Sequence, residues 1–162
     1  MLMDEPFGAV DPIVRERLQN EFLSLQRAQG ITVIFVTHDI DEAIKLGDRV
    51  AIMRAGKLVQ YAPPGELLAR PADDFVAQFV GTDRGLKRLA LLTVGGADLD
   101  PPVDPSRLDG APVLSPKMTL RDALAVMLAS ETQVGMVRDG DSYLGVLTLS
   151  HIGRLLRTEE QK

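Results

Sequence analysis

Two carboxylates, Asp4 and Glu5, close an apolar run at residues 1–3 and are followed at once by Pro6. A second apolar run, ITVIFVT (31–37), ends in His38 and Asp39. In parallel α/β sheets, ligands gather outside the carboxyl ends of the strands. Phosphoryl transfer needs a carboxylate for Mg²⁺, a group to polarise the attacking water, and a donor for the γ-phosphate. Asp4, Glu5 and His38 are three residue types able to fill those roles from two strand ends. Each also has a simpler explanation. An acidic pair after an apolar triplet is ordinarily a solvated strand end, and a histidine before an aspartate is ordinarily a cap or a surface residue.

The flanking pattern is that of an α/β layer. Residues 1–4 read as the tail of a buried strand. Asp11-Pro12 supplies an N-cap and a residue favoured at the first helical position. Val14, Leu18, Phe22 and Leu25 then recur at helical spacing until Gly30 stops the helix. The run 31–37 is β-branched and apolar on both faces, as in a central parallel strand. Asp39 can cap the short helix IDEAIKLG. DRVAIMRAGKLVQYA reads as a hairpin around Ala55-Gly56, and PPGELLAR and ADDFVAQFVG as short helices punctuated by Pro63, Pro64 and Pro71.

Composition narrows the function classes. The chain has 162 residues, no cysteine and a net charge of −5. No disulfide framework or thiolate metal site is available, which fits a reducing compartment. No segment approaches eighteen consecutive apolar residues, and no basic stretch precedes an apolar core as in a secretory signal. Nine basic and thirteen acidic residues fall in 1–84, nine and ten in 85–162. No basic stripe advertises nucleic acid, and five Phe, two Tyr and no Trp leave little for base stacking.

Taken together and in this order, the motifs resemble those of an ABC-transporter ATPase. MDEPFGAVD is similar to the Walker B strand and D-loop, and VTHD to the switch-histidine loop. DIDEAIKLGDRVAIM and DRGLKRL look particularly like the ATPase subunits of osmoprotectant importers for glycine betaine, carnitine or choline. The resemblance covers residues 1 to about 90. It implies ATP and Mg²⁺ as cofactors, with Asp4 binding the metal through water, Glu5 polarising the attacking water and His38 contacting the γ-phosphate. It places Asp11 in the D-loop, which crosses to the other nucleotide site of a head-to-tail homodimer. Val10 stands where leucine is usual. The implied partners are a second ATPase subunit and transmembrane permease subunits. The implied location is cytoplasmic, peripheral at the inner face of the membrane.

Half of such a machine is missing. The phosphate-cradling GxxxxGK[ST] loop is absent: Gly56-Lys57 has Ala51 where the upstream glycine belongs, and leucine follows the lysine. The signature motif is absent too, and Gly95-Gly96 lies in the wrong context. The opening strand is therefore expected to belong to a larger domain, with Met1 an internal start or truncation point. The chain alone is expected to be inactive.

Near residue 95 the composition shifts. GGADLDPPVDPSRLDGAP reads as a linker (91–111) between a 1–90 domain and a small α+β unit at 112–162. In that unit PVLS reads as a short strand and Thr119 caps LRDALAVMLAS, with Leu120, Leu124 and Met127 or Leu128 on one face. QVGMVRDGDSYLGVLTLS reads as a hairpin turning at Asp139-Gly140, and SHIGRLLR as a closing helix. LKRLALLTV offers an extra strand or a degenerate remnant of a second unit. Residues 112–157 resemble a single CBS motif, which implies an adenine nucleotide or cyclic dinucleotide near Thr148. The aspartate that commonly follows three residues later to bind ribose is here His151, so the resemblance leaves a purely structural dimerisation unit equally open. About fifty residues is small for an independent core.

The reading is thus the C-terminal portion of the ATP-hydrolysing subunit of an osmoprotectant importer, with a regulatory CBS-like tail. Its rivals are a stand-alone nucleotide-sensing or dimerisation module and an ABC importer subunit for another solute.

Overall fold

A computed structural model describes residues 1–104, 106 and 108–157. Pro105 and Arg107 of the expected linker and residues 158–162 of the expected tail lie outside the described residues. The elements alternate as the sequence suggests, and the fold is mixed α/β. It divides into two compact units, the first Met1–Leu67 with Pro71–Val80, the second Leu68–Arg70 with the chain from Gly81 onward. The division at Val80–Gly81 lies earlier in the chain than the linker that composition suggested.

In the first unit, β1 (Leu2–Asp4) pairs in parallel with β2 (Ile34–Val36), Asp4 opposite Val36. Between them runs α1 (Pro12–Gln29). Asp11 caps it by accepting from the Ile13 N–H, and Gly30 ends it at φ 62°, a left-handed turn that favours glycine. Of the expected apolar stripe only Phe22 turns inward, packing with Phe7 and Phe35 at ring separations of 5.8–6.5 Å. Val14, Leu18 and Leu25 are exposed. The strands likewise are not buried on both faces, for Leu2 and Ile34 are 72% and 64% exposed. α2 (Ile40–Leu46) follows β2, capped by Asp39 as the sequence indicates.

β3 (Val50–Arg54) and β4 (Lys57–Ala62) form the expected hairpin. Both turn residues have positive φ, Ala55 at 49° and Gly56 at 74°, the primed geometry that matches strand twist. α3 (Pro64–Ala69) and α4 (Asp74–Val80) complete the series of short helices.

From Gly81 onward the second unit begins with α5 (Arg84–Leu91), a helix over most of the stretch that offers an extra strand. Beyond it Thr93 makes an isolated bridge to Thr119, and Asp100 one to Val146. Leu89 and Val94 are fully buried in one core with Leu114, Met127 and Leu147, so the start of the expected linker packs as part of this unit. β5 (Val113–Leu114), α6 (Leu120–Ala129), β6 (Val134–Asp139), β7 (Ser142–Thr148) and α7 (Leu149–Arg157) follow. The sheet order is β5-β6-β7, parallel then antiparallel. Thr119 caps α6, as its position before the helix suggested. The buried face of α6 is Leu120, Ala123 and Met127; Leu128 is exposed. The β6–β7 hairpin turns at Gly140–Asp141, one residue later than read, with Asp139 paired to Ser142.

Candidate functional site

The two strand ends meet. The Glu5 N–H donates to the Val36 carbonyl at 2.8 Å, carrying the β1–β2 pairing one residue beyond Asp4. The chain then turns sharply: Glu5 sits at φ 42°, a left-handed conformation that costs a non-glycine residue about 1–3 kcal/mol. The turn is closed by Gly8 N–H to Glu5 C=O at 3.1 Å and held by burial of Phe7. This conformation presents the Glu5 carboxylate to His38, Nδ1 to Oε1 at 3.0 Å. Both side chains remain open to solvent. The hydrogen bond and charge of Glu5 raise the His38 pKa above its ordinary value, with smaller contributions from Asp39 and Glu42.

Asp4 ends β1 as an exposed carboxylate. Among the described residues no three His, Cys, Asp or Glu side chains cluster to hold a metal ion. Mg²⁺ ordinarily takes one or two carboxylates and completes its shell with water and substrate phosphates, so a single strand-end aspartate fits a shared coordination. Asp11, the D-loop candidate, spends its carboxylate capping α1, Oδ1 accepting from Ile13 N–H at 3.0 Å.

Behind this exposed pair lies a buried polar cluster that sequence reasoning missed. Glu42, 6% exposed on α2, accepts from Thr37 Oγ1 at 2.8 Å and from Gln19 Nε2 of α1 at 3.1 Å. Arg15 Nε lies 4.0 Å from Glu42 Oε1, and its Nη2 donates to the Val10 carbonyl at 3.0 Å. Thr37 Oγ1 in turn accepts from the Asp39 N–H at 3.0 Å. Polar residues scattered along two amphipathic helices read as solvent-facing, and no local pattern shows that they converge.

In the second unit Thr148 ends β7 and caps α7, its Oγ1 accepting from the His151 N–H at 3.2 Å and lying 2.8 Å from Ser150 Oγ. His151 is buried, with Nε2 3.5 Å from Asp100 Oδ1 and Nδ1 without a hydrogen-bond partner among the described residues. The imidazole thus faces a carboxylate from the segment read as linker. Asp100 is fixed there by a two-way backbone bridge to Val146, 2.9 Å in each direction.

No protein-family model matches the chain. Individual proteins do. It is 49% identical over 141 residues to the osmoprotectant import ATP-binding protein OsmV of Salmonella typhimurium, covering 87% of this chain and 35% of that protein. It is 60% identical over 84 residues to the carnitine transport ATP-binding protein OpuCA of Listeria monocytogenes, 52% of this chain and 21% of the relative. Against the glycine betaine uptake system ATP-binding protein YehX of Escherichia coli it is 44% identical over 135 residues, 83% of this chain and 42% of the relative. The chain thus spans well under half the length of these relatives. The resemblance to osmoprotectant-transport ATP-binding subunits drawn from the motifs is borne out. Alignments of 141 and 135 residues cannot be confined to residues 1–90 and therefore reach into the second unit.

Proposed function

We propose, from this kinship with osmoprotectant-transport ATP-binding proteins, that the chain is the C-terminal portion of the ATP-hydrolysing subunit of an ABC importer for a compatible solute of the glycine betaine, carnitine or choline class. The observation that carries the reading is the 3.0 Å approach of Glu5 and His38 from two parallel strand ends. A carboxylate that can polarise water and an imidazole held toward its protonated, donating form stand side by side, as γ-phosphoryl transfer to water requires. Glu5 would exchange its imidazole partner for the attacking water, and His38 would donate to a γ-phosphate oxygen. Asp4 would hold Mg²⁺, which neutralises phosphate charge when bound. Asp11 lies in the turn that would face the second subunit of a homodimer.

The chain lacks GxxxxGK[ST], so phosphate cradling must come from sequence outside it. Turnover is accordingly a property of the complete subunit, and the 162-residue chain alone hydrolyses no ATP. Among the described residues no helix is long and apolar enough to cross a membrane; by the kinship with transporter ATP-binding proteins, the complete subunit would attach through permease subunits at the cytoplasmic face.

The second unit is read as a regulatory CBS-like tail, supported by its order β5-α6-β6-β7-α7. It would pair with its copy in the second subunit and take an adenine nucleotide or cyclic dinucleotide near Thr148. Alignments that reach into this unit favour a part of the transporter subunit over a stand-alone sensor.

The test is made in a complete subunit carrying residues 1–162 after a restored nucleotide-binding part. Glu5→Gln should nearly abolish hydrolysis while leaving ATP binding intact, and His38→Ala should slow turnover. Wild-type rates in both variants would overturn the reading, as would Glu5-dependent turnover by the short chain.

A further inference from the structure

We infer that Glu42, with Thr37, Gln19 and Arg15, forms a positioning cluster that sets the His38 side chain against Glu5 and ties that pair to the Asp11 turn. The inference rests on the proposed hydrolytic role of Glu5 and His38 and deepens it. Among the described residues, no side chain of the four is hydrogen-bonded or ion-paired to that of Glu5 or His38. Their arrangement nonetheless leaves the geometry of the pair little freedom.

His38 lies between two anchored residues. Thr37 donates to the buried Glu42 carboxylate at 2.8 Å and accepts the Asp39 N–H at 3.0 Å. Asp39 caps α2 by accepting the Asp41 and Glu42 N–H groups at 2.8 and 3.3 Å. With both neighbours held to α2, the imidazole between them is directed at Glu5. The other Glu42 oxygen accepts from Gln19 on α1 at 3.1 Å, and Arg15, one turn earlier on that helix, reaches back to the Val10 carbonyl at 3.0 Å. Arg15 also lies 3.9 Å from Asp39 and 4.0 Å from Glu42. A continuous polar path therefore runs from the turn between Glu5 and Asp11, through α1, to the residues on either side of His38. A buried carboxylate is retained only where partners repay its desolvation. Here the partners come from α1 (Gln19 and Arg15) and from Thr37, the residue that follows β2, so moving either of them against α2 strains the cluster.

Positioning must be separated from a mere structural role and from the charge of Glu42. The 162-residue chain is titrated by NMR of the histidine imidazoles, with the amides of the β1–β2 pairing read in the same spectra as a check on folding. Glu42→Ala and Thr37→Val should lower the His38 midpoint toward an ordinary histidine while the β1–β2 amides stay in place. Glu42→Gln keeps an acceptor for Gln19 and a partner for the Thr37 hydroxyl, and should leave the midpoint near wild type. Should Glu42→Ala disorder the first unit, the near-isosteric Thr37→Val decides. A wild-type midpoint in Thr37→Val overturns the inference, as does a Glu42→Gln midpoint as low as that of Glu42→Ala. In the complete subunit, Glu42→Ala should lower kcat about 10-fold at unchanged KM for ATP, with Glu42→Gln restoring it. Turnover indifferent to Glu5 and His38 would remove the hydrolytic reading and leave the titration result standing, so the two failures are distinguishable.

Discussion

The two units bury apolar surface in different ways. The second gathers Leu89, Val94, Leu114, Met127 and Leu147 into one continuous core, each fully inaccessible. The first holds a three-phenylalanine cluster and a buried polar cluster, yet leaves Leu2, Ile13, Ile34 and Leu25 more than half exposed. Its strands β1 and β2 are three residues each and stand as a two-stranded sheet, a size that is marginal by itself. Apolar strand faces open to water mark surfaces that ordinarily meet another layer. The unit with the candidate chemistry is thus the less self-sufficient one.

Core truncation sets the contrast most sharply. Leu147→Ala removes a fully buried side chain and should destabilise the second unit by about 2–5 kcal/mol. Ile34→Ala, at a 64% exposed position, should cost the first unit less than about 1 kcal/mol. Native-state hydrogen exchange, read separately for residues 1–37 and 119–149, measures both, and the wild-type amides of 1–37 should already exchange faster. Equal protection in the two segments would break the comparison.

Gly145→Ala comes next. A Cβ there would stand 2.4 Å from the Asp100 carbonyl oxygen, so the Asp100–Val146 bridge must shift. A loss of about 1–3 kcal/mol is expected, together with faster exchange of the Asp100 and Val146 amides. Stability equal to wild type would show that the 97–100 segment is not a firm part of the second unit.

What the sequence disclosed was local. Asp11, Asp39 and Thr119 announce helix starts, and Gly30 and Ala55-Gly56 announce reversals, because each acts through its own backbone. Glu5 and His38 were legible for another reason: both follow apolar runs, and parallel pairing of those runs brings their ends together. In LKRLALLTV the helical alternation of apolar and basic residues ends with α5 at Leu91, and the apolar residues that run on from Leu92 to Val94 mask that period. The Glu42 cluster and the His151–Asp100 contact join residues 23 and 51 positions apart, respectively, and no spacing rule reaches that far. The same holds for residues 92–100, within the stretch whose composition reads as a linker: only tertiary contact reports that they are docked.

Caps offer a smaller and more even comparison. Thr119 Oγ1 accepts the Asp122 N–H at 3.1 Å in the second unit, and Asp11 Oδ1 accepts the Ile13 N–H at 3.0 Å in the first. Alanine at either position should cost about 1 kcal/mol. If helix start chemistry is independent of core quality, the two losses will match in urea denaturation. A far larger loss for Asp11→Ala would mean that the turn it closes holds the first unit together.

The smallest expected effect on stability belongs to the exposed pair, and its pH dependence has a definite sign. Glu5 raises the His38 pKa above its unfolded value of about 6.5. The charged contact is therefore fully present below that pH, for as long as Glu5 stays ionised, and fades as pH rises through the raised folded value. Because both side chains are solvent-exposed, screening keeps the contribution to stability small, and it should shrink further with added salt. Glu5→Gln should bring the His38 titration back toward about 6.5 and reduce its salt sensitivity to the smaller part owed to Asp39 and Glu42. An unchanged titration in Glu5→Gln would detach the two strand ends from one another and, with them, the reading of this site as a water-activating pair.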